Sequence, residues 1–216
     1  LETEVIFKED LLEIYYMIKN YDRDIVFDQI KSGWPLGIAS ILGIALYSTD
    51  GYMVSAMLDV EQYAIYKNGA FQIPFISSLY GAVTAILLPD VSKYFFQKDF
   101  DRIVNLKKKV IANTAMLIFP IVVFCIVFAE PLIITYLSEK YAASYPIFMV
   151  YNLMLLARFT SYDDLFVASN NNSKMPKIYL IALIANMVLN YFLIQWMGPL
   201  GAAIASVISF YILIAL

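Results

Sequence analysis

Two charged side chains in apolar surroundings are the residues best suited to chemistry in this chain. Asp50 lies within "LYSTDGYMVS", in a run of 25 residues, 34–58, that carries no other charge. Arg158 lies in a second apolar stretch, "NLMLLARFTSY". A charge at the centre of a membrane costs about 2.5–3.5 kcal/mol on insertion scales, so it needs a partner or a wet cavity. The pattern predicts either a buried pair that sets helix register, with Arg158 or Lys67 as the partner of Asp50, or a site that handles ions.

Helical spacing places tyrosines beside both charges. Tyr47 and Asp50 are three residues apart and therefore share one helix face. Tyr151, Arg158 and Tyr162 follow one another at intervals of seven and four, which also produces one face. Such a face is typical of a polar ligand surface and equally of an ordinary polar seam between helices.

Amide side chains form two further pairs at helical spacing. Asn186 and Asn190 are one turn apart, and amides within membranes usually hold helices together, at about 0.6 kcal/mol each. We interpret this pair first as interhelical contacts and second as cavity lining. Asn68 and Gln72 are also one turn apart, next to Lys67, and the same two interpretations apply to them.

The residue inventory argues against an enzyme. The chain has no histidine, hence no Ser–His or Cys–His pair, and it has no Gly-rich phosphate loop. Its one cysteine, Cys125, lies in "IVVFCIVF" and is interpreted as a packing residue. Asp163 and Asp164 are a weak candidate for a metal or sugar-phosphate site; the stronger interpretation is two carboxylates that reach water at a helix end. No cofactor and no metal are predicted.

The composition is that of a membrane protein. Hydrophobic residues make up 61% of the 216 residues and the mean hydropathy is +0.70. Only 15% of residues are charged, whereas soluble domains have about a quarter. A soluble core cannot hold this many apolar residues, so we predict an all-α integral membrane protein. The net charge of −3 offers no basic surface for nucleic acid.

Six apolar segments approach the roughly 20 residues that a membrane helix needs. The predicted helices are about 34–58, 66–89, 110–129, 146–168, 178–196 and 200–216. Twelve basic residues lie in the first, third and fifth connections: Lys8, Lys19, Arg23, Lys31, Lys93, Lys98, Arg102, Lys107, Lys108, Lys109, Lys174 and Lys177. Because basic residues stay on the cytoplasmic side, 34–216 is predicted to be a six-helix transmembrane lobe with both ends cytoplasmic. Residues 1–33 are predicted to be a cytoplasmic amphipathic linker helix along the membrane face, with a soluble linker helix as the alternative.

Prolines, glycines and small residues predict how these helices bend and pack. Pro74 and Pro120 are expected inside helices, where proline produces a kink. The stretch "WMGPLG" predicts a tight hairpin between the last two helices. Small residues after this hairpin are spaced to let helix backbones approach closely. They are Gly201, Ala202, Ala205 and Ser209.

The order of these segments resembles one known family. From about residue 30 to the end, the stretches "DVEQYAIYKNGAFQIP", "LLPDVSK" and "GPLGAAIA" carry the likeness. Together they resemble the C-terminal half of a polysaccharide biosynthesis flippase, in the multidrug/oligosaccharidyl-lipid/polysaccharide exporter superfamily. Such proteins usually have two six-helix lobes, so the resemblance implies an N-terminal lobe as partner. The start at Leu1 and the apolar ending "FYILIAL" agree with a fragment of a longer protein.

The resemblance implies a transporter rather than an enzyme. It would flip undecaprenyl-diphosphate-linked oligosaccharide units across a bacterial or archaeal cytoplasmic membrane by ion-coupled alternating access. The residues expected to bind substrate are Arg158, Tyr151, Tyr162, Asn68 and Gln72. The residues expected in ion coupling or gating are Asp50 and Tyr47. The glycan requires a wet cavity and the diphosphate requires cationic or amide donors, while the lipid tail stays in the bilayer.

Several alternatives share parts of this pattern. A multidrug or metabolite exporter of the same superfamily, or a lipid II flippase, would have the same fold and a different cargo. Arg158 favours an anionic cargo over an organic cation. A membrane glycosyltransferase or polymerase would need a loop rich in acidic residues or histidine, which the sequence lacks. A bundle that only packs and does not transport is the remaining alternative.

Overall fold

The structure is a computed structural model that describes residues 23–71, 73–157 and 162–216. Every regular element in these ranges is helical, as predicted, and no strand occurs within them. The α-helices are α1 (Arg23–Met57), α2 (Val60–Gly69), α3 (Pro74–Phe96), α4 (Phe100–Val127), α5 (Ala129–Tyr136), α6 (Tyr145–Asn152), α7 (Asp164–Ala168), α8 (Met175–Met197) and α9 (Pro199–Ala215). Three 3-10 segments accompany them, Glu139–Ser144, Leu153–Ala157 and Asn172–Lys174. Pro35–Leu216 form one compact unit, which contains all the contacts discussed below.

Within the described residues, three helical segments are long and apolar enough to cross a membrane. They are Val26–Met57, Phe100–Val127 and Asn172–Met197, and Pro199–Ala215 is a shorter apolar helix. The predicted linker helix 1–33 lies mostly outside the described residues. Where the two overlap, α1 continues without a break past residue 33, so the predicted boundary between linker and first helix is not a helix end.

The predicted helix 66–89 is wrong, because two helices occupy this stretch. Asp59 begins α2 as its N-cap, where its carboxylate accepts a hydrogen bond from the Gln62 backbone N–H at 2.8 Å. α2 ends at Gly69, and α3 begins at Pro74. Pro74 therefore occupies a first helical turn, where proline is tolerated, rather than a kink. Gly69 is packed so closely that an added Cβ would lie 2.6 Å from the Ser144 carbonyl oxygen.

The predicted continuous helix 146–168 is wrong as well. α6 ends at Asn152, and the narrower 3-10 segment follows it to Ala157. The buried Asn152 amide donates to the Phe148 carbonyl at 2.8 Å and to the Phe71 carbonyl at 3.4 Å. Side-chain bonds of this kind compete with the helical backbone pattern. Tyr151 and Tyr162 are therefore not on one helix and do not share a helix face. Arg158, the third residue of that predicted face, lies outside the described residues.

The last two helices form the predicted hairpin. Gly198 connects α8 to α9 with φ +61°, a left-handed conformation that favours glycine. Gly201 is required by close approach, since a Cβ there would lie 2.0 Å from the Leu193 carbonyl oxygen. The small residues of α9 are buried, including Ala202, Ala205 and Ser209, as the spacing predicted. Pro120 lies inside α4, also as predicted.

α1 runs parallel to α8, side by side. Near the start of α8, the Tyr179 ring lies against Gly43 of α1. Further along, Asp50 contacts Asn186, and Val54 belongs to the same buried apolar cluster as Ile194. This common direction agrees with a topology in which the first and fifth predicted spans cross in the same sense.

Candidate functional site

Asp50 is the centre of a buried hydrogen-bond network that joins four helices. Its side chain lies in α1 and is 2% exposed. The Asn186 and Asn190 amides of α8 donate to Asp50 Oδ1 at 3.1 and 3.2 Å. The Tyr66 hydroxyl of α2 donates to Oδ2 at 3.3 Å, and the Ser206 hydroxyl of α9 also bonds this oxygen. These four partners, which are those in the described part of the chain, are all neutral.

The hairpin and the helical repeat position these partners. Asn186 and Asn190 share a face of α8 because they are one turn apart. Asn190 Nδ2 also donates to the Asn186 backbone carbonyl at 3.0 Å and to its side-chain oxygen at 3.1 Å, which orients both amides. The turn at Gly198 folds α9 back on α8 and brings Ser206 to the same point. Ser206 also bonds the Ala202 carbonyl at 2.9 Å.

The hydrogen-bond network around Asp50 contains more acceptor atoms than donor protons. Ser206 has one hydroxyl proton but lies within bonding distance of two acceptors, Asp50 Oδ2 and the Ala202 carbonyl. Asn190 Oδ1 is buried and accepts no hydrogen bond within the described part of the chain. A proton on Asp50 would donate to Ser206 and release the Ser206 proton for Ala202. A small cation would instead use these oxygens as ligands, since hard cations prefer carboxylate, carbonyl and hydroxyl oxygens.

A small cavity adjoins Asp50, and two larger pockets share lining residues with it. The Asp50 cavity is about 10 Å³, enough for about one water-sized group, and Tyr47, Tyr151 and Phe210 are among its lining residues. The tyrosine pocket, of about 330 Å³, is lined by Tyr47, Ser48, Gly51, Tyr52, Ser55, Tyr63, Tyr66, Lys67, Ala70 and Tyr151. The Asp163 pocket, of about 310 Å³, is lined by Tyr47, Tyr80, Tyr162, Asp163, Phe166, Met175, Ile178, Tyr179, Phe210, Leu213, Ile214 and Leu216.

The two larger pockets extend toward opposite ends of the parallel pair α1 and α8. The tyrosine pocket continues from Tyr47 toward Ser55, the C-terminal end of α1. The Asp163 pocket includes Met175 and Tyr179, near the N-terminal end of α8. Tyr47 lines all three cavities. The arrangement therefore places a buried carboxylate between two pockets, with Tyr47 at their junction.

The polysaccharide biosynthesis protein family model matches residues 18–146 of this chain. The chain belongs to this family. The match includes Asp50 and Tyr66 and ends before Asn186 and Ser206, so it contains two of the four helices that meet at the network. No curated protein and no solved structure is significantly similar to the chain.

The sequence-predicted site residues of this family member separate into two groups. Tyr47, Asp50 and Tyr151 come together at the Asp50 cavity. Tyr162 instead lines the Asp163 pocket, where its hydroxyl donates to the Ala157 carbonyl at 2.6 Å. Asn68 is half-buried on α2 and is not among the described lining residues of the three cavities.

Two predicted substrate-binding residues, Arg158 and Gln72, lie outside the described residues. Within the described residues, no basic side chain forms an ion pair with Asp50. The alternative partner, Lys67, is exposed and lines the tyrosine pocket, so its predicted pairing with Asp50 is wrong. The helix that carries Asn68 ends at Gly69, and the predicted pairing of Asn68 with Gln72 stays a prediction because Gln72 lies outside the described residues.

Sequence reasoning missed Tyr66 and Ser206 as partners of Asp50. Their types are unremarkable in an apolar helix, and no spacing rule joins them to residue 50. Asn186 and Asn190 were recognisable from their interval of four, and their interpretation as interhelical contacts is confirmed. The second interpretation also applies to Asn186, which lines the Asp50 cavity.

A second polar cluster surrounds the acidic pair at residues 163 and 164. Lys107 Nζ forms an ion pair with Asp164 Oδ1 at 2.7 Å, and the Asp164 side chain is fully buried. The prediction that both carboxylates reach water is therefore wrong for Asp164. Asp163 Oδ2 accepts a hydrogen bond from the Tyr179 hydroxyl at 3.0 Å. Among the residues that the structure describes, no group of three His, Cys, Asp or Glu side chains could hold a metal ion.

Proposed function

We propose that this chain is part of a membrane transporter that flips lipid-linked oligosaccharide units across the cytoplasmic membrane, by ion-coupled alternating access. The units are sugars on undecaprenyl diphosphate, for polysaccharide export. Membership of the polysaccharide biosynthesis family supports a role of this chain in making or exporting polysaccharide. The observation that carries the mechanism is Asp50, held by neutral donors in a small cavity between two pockets that extend to opposite ends of the bundle.

Asp50 is proposed to bind the coupling ion. Within the described residues Asp50 has no cationic partner. A buried carboxylate in that state is costly at membrane depth, and a bound proton or small cation would offset that cost. Ser206, Ala202 and Asn190 provide more acceptor oxygens than the network has protons. This surplus favours ion binding over a role in which Asp50 only sets the register of the helices. Binding would change the bonds of Asp50 to α2, α8 and α9 together. Helix packing that depends on those bonds would then differ between the ion-bound and ion-free states.

Tyr47 is proposed to control access to Asp50. It is 41% exposed, and it lines the Asp50 cavity and both larger pockets. A rotation of this one side chain would alter the connection between the cavity and either pocket. Alternating access requires that the ion site communicate with one side at a time, and a shared wall residue is suited to this.

Arg158, Tyr151, Tyr162, Asn68 and Gln72 remain the residues proposed to bind substrate. Arginine at membrane depth is suited to a diphosphate through bidentate hydrogen bonds. We expect Arg158→Ala to abolish flipping in a protein that still folds, and Arg158→Lys to restore only part of the activity. Full activity of Arg158→Ala would exclude this residue from the mechanism.

A second candidate function is export of organic cations. The Asp163 pocket combines one carboxylate with four tyrosines, Tyr47, Tyr80, Tyr162 and Tyr179. Aromatic rings around a carboxylate are suited to an ammonium group. Competition decides between the two cargoes: an excess of a hydrophobic quaternary amine would inhibit an exporter of cations and leave a flippase of anionic lipids unaffected.

The test of the main proposal is a flipping assay in proteoliposomes. The purified protein is reconstituted with fluorescent undecaprenyl-diphosphate-linked disaccharide, and a membrane-impermeant quencher reports how much lipid changes leaflet. We expect flipping that depends on a Na⁺ or proton gradient in the parent protein and is lost in Asp50→Asn. Equal flipping in protein-free vesicles, or gradient-dependent flipping in Asp50→Asn, would contradict the proposal.

A further inference from the structure

The tyrosine pocket is a polar space in an apolar bundle. Five tyrosines and two serines contribute hydroxyl groups to its wall, and Lys67 contributes an ammonium group. Polar groups at membrane depth are expensive unless they face a wet cavity or a ligand. The pocket volume of about 330 Å³ lies within the roughly 300–1,000 Å³ of small-molecule sites.

The wall chemistry suits a sugar ring. A hexopyranose has an apolar face of C–H groups and a rim of hydroxyls that both donate and accept. Tyrosine offers an apolar ring and a hydroxyl in one rigid side chain. A diphosphate would need several cationic donors, whereas the described part of this wall contains only Lys67. The sugar is therefore the better match within a lipid-linked oligosaccharide.

The pocket also has accessible rings and free space. Tyr52 is 74% exposed, and Tyr63 is half-buried on the facing helix α2. Between the α1 residues Tyr47 and Tyr52, Gly51 leaves a gap: a Cβ added there would meet no atom within 4 Å. A ligand can therefore approach the α1 backbone at Gly51 while its edges reach tyrosines on both helices.

We propose that the tyrosine pocket binds one sugar unit of the transported glycan, with Tyr52 and Tyr63 as its main contacts. This inference rests on the proposed flippase function and assigns the glycan, rather than the diphosphate or the lipid, to this pocket. Tyr66 lines the pocket and also donates to Asp50 at 3.3 Å, so the bound sugar lies one side chain away from the carboxylate.

The test fills the pocket without removing any of its polar groups. Gly51→Leu places a side chain in the free space, and leucine is a better helix former than glycine, so α1 is retained. Gly37→Leu is the matched control, because Gly37 lies on the same helix, also has open space, and is outside the pocket. Thermal unfolding of both variants checks that they fold.

Binding is measured in nanodiscs with two probes. One is undecaprenyl diphosphate that carries a disaccharide of N-acetylglucosamine, and the other is undecaprenyl diphosphate alone. We expect the parent protein and Gly37→Leu to bind the glycan-bearing probe about tenfold more tightly, a ratio that corresponds to about 1.4 kcal/mol. Gly51→Leu should bind both probes with the affinity that the parent has for the glycan-free lipid.

Two results would overturn the inference. One is equal affinity of the parent protein for both probes, and the other is a full glycan preference in Gly51→Leu. The double variant Tyr52→Phe/Tyr63→Phe is a second measurement that keeps both rings and removes both hydroxyls. It should retain only part of the glycan preference, and an unchanged preference would exclude those hydroxyls as contacts.

The flipping assay separates this inference from the function on which it rests. If the parent protein prefers the glycan probe but does not flip it, the pocket is retained and the flippase proposal fails. If the parent flips the glycan probe and Gly51→Leu has the same preference and rate, the flippase proposal is retained and the pocket fails.

Discussion

Replacement of Asp50 by asparagine or by leucine should have very different effects on stability. Asparagine can direct its carbonyl to the Asn186 and Asn190 amides and its NH₂ to the hydroxyls of Tyr66 and Ser206, because a hydroxyl accepts as well as donates. Every buried partner then keeps a hydrogen bond. We expect Asp50→Asn to change the free energy of unfolding by about 1 kcal/mol or less.

The cost of leucine follows from which donors have no second acceptor. Asn190 also bonds Asn186, and Ser206 also bonds the Ala202 carbonyl. Tyr66 likewise has the Ser206 hydroxyl as a second partner. The Asn186 amide, by contrast, donates to Asp50 alone among the described residues. A buried donor left without a partner costs about 1–3 kcal/mol, so this amide alone predicts a loss of about 1–3 kcal/mol for Asp50→Leu, and the loss of the other bonds to the carboxylate adds to it.

The assay is equilibrium unfolding of the purified protein in mixed micelles, followed by far-UV circular dichroism. The control is Asp90, an exposed carboxylate of α3. Asp90→Asn and Asp90→Leu should each change the free energy of unfolding by no more than about 0.5 kcal/mol. If Asp50→Asn destabilises the protein as much as Asp50→Leu, then the negative charge itself stabilises the fold. Hydrogen bonds from neutral donors would then not be enough to explain how the buried Asp50 charge is tolerated. A buried ion pair would be the better explanation.

Three further substitutions test the network and the helix packing, each by the same unfolding assay. Tyr66→Phe removes one hydrogen bond to Asp50 and should cost about 0.5–1.5 kcal/mol; no change would mean that this bond contributes nothing to stability. Gly201→Ala places a Cβ 2.0 Å from the Leu193 carbonyl oxygen and should cost about 1–3 kcal/mol, and a neutral result would contradict the close approach of α8 and α9. Lys107→Met leaves the Asp164 charge buried without its partner and should cost about 3–5 kcal/mol, and the double change with Asp164→Leu should recover most of that loss.

The class of the protein and the points of interest in it were predictable from sequence. The excess of apolar residues predicts a helical membrane protein, because soluble cores cannot hold it. A lone carboxylate in an apolar run identifies Asp50, since only a special environment tolerates such a charge. The interval of four identifies Asn186 and Asn190 as one face, and glycine with proline at 198 and 199 predicts the hairpin. These features are local, so a one-dimensional pattern is enough to find them.

The breaks in the predicted helices were not predictable from hydropathy. Residues 66–89 and 146–168 are apolar enough to suggest continuous spans, yet α2 ends at Gly69 and α6 ends at Asn152. Gly69 ends α2 against the Ser144 carbonyl oxygen, and Asn152 bonds the Phe71 carbonyl, which lies 81 residues away in the chain. Both ends depend on packing between segments that a local window does not contain.

The composition of the Asp50 site was likewise decided by tertiary structure. Charge complementarity suggested a basic partner, either Arg158, which lies outside the described residues, or Lys67. α2 turns Tyr66 toward the carboxylate and leaves Lys67 exposed. Ser206 is 156 residues from Asp50, and only the hairpin at Gly198 brings it there. Sequence determined that a carboxylate in this bundle would need partners. Which neutral donors supply them depended on how four helices meet, because hydrogen bonds form between groups that are close in space, at any distance along the chain.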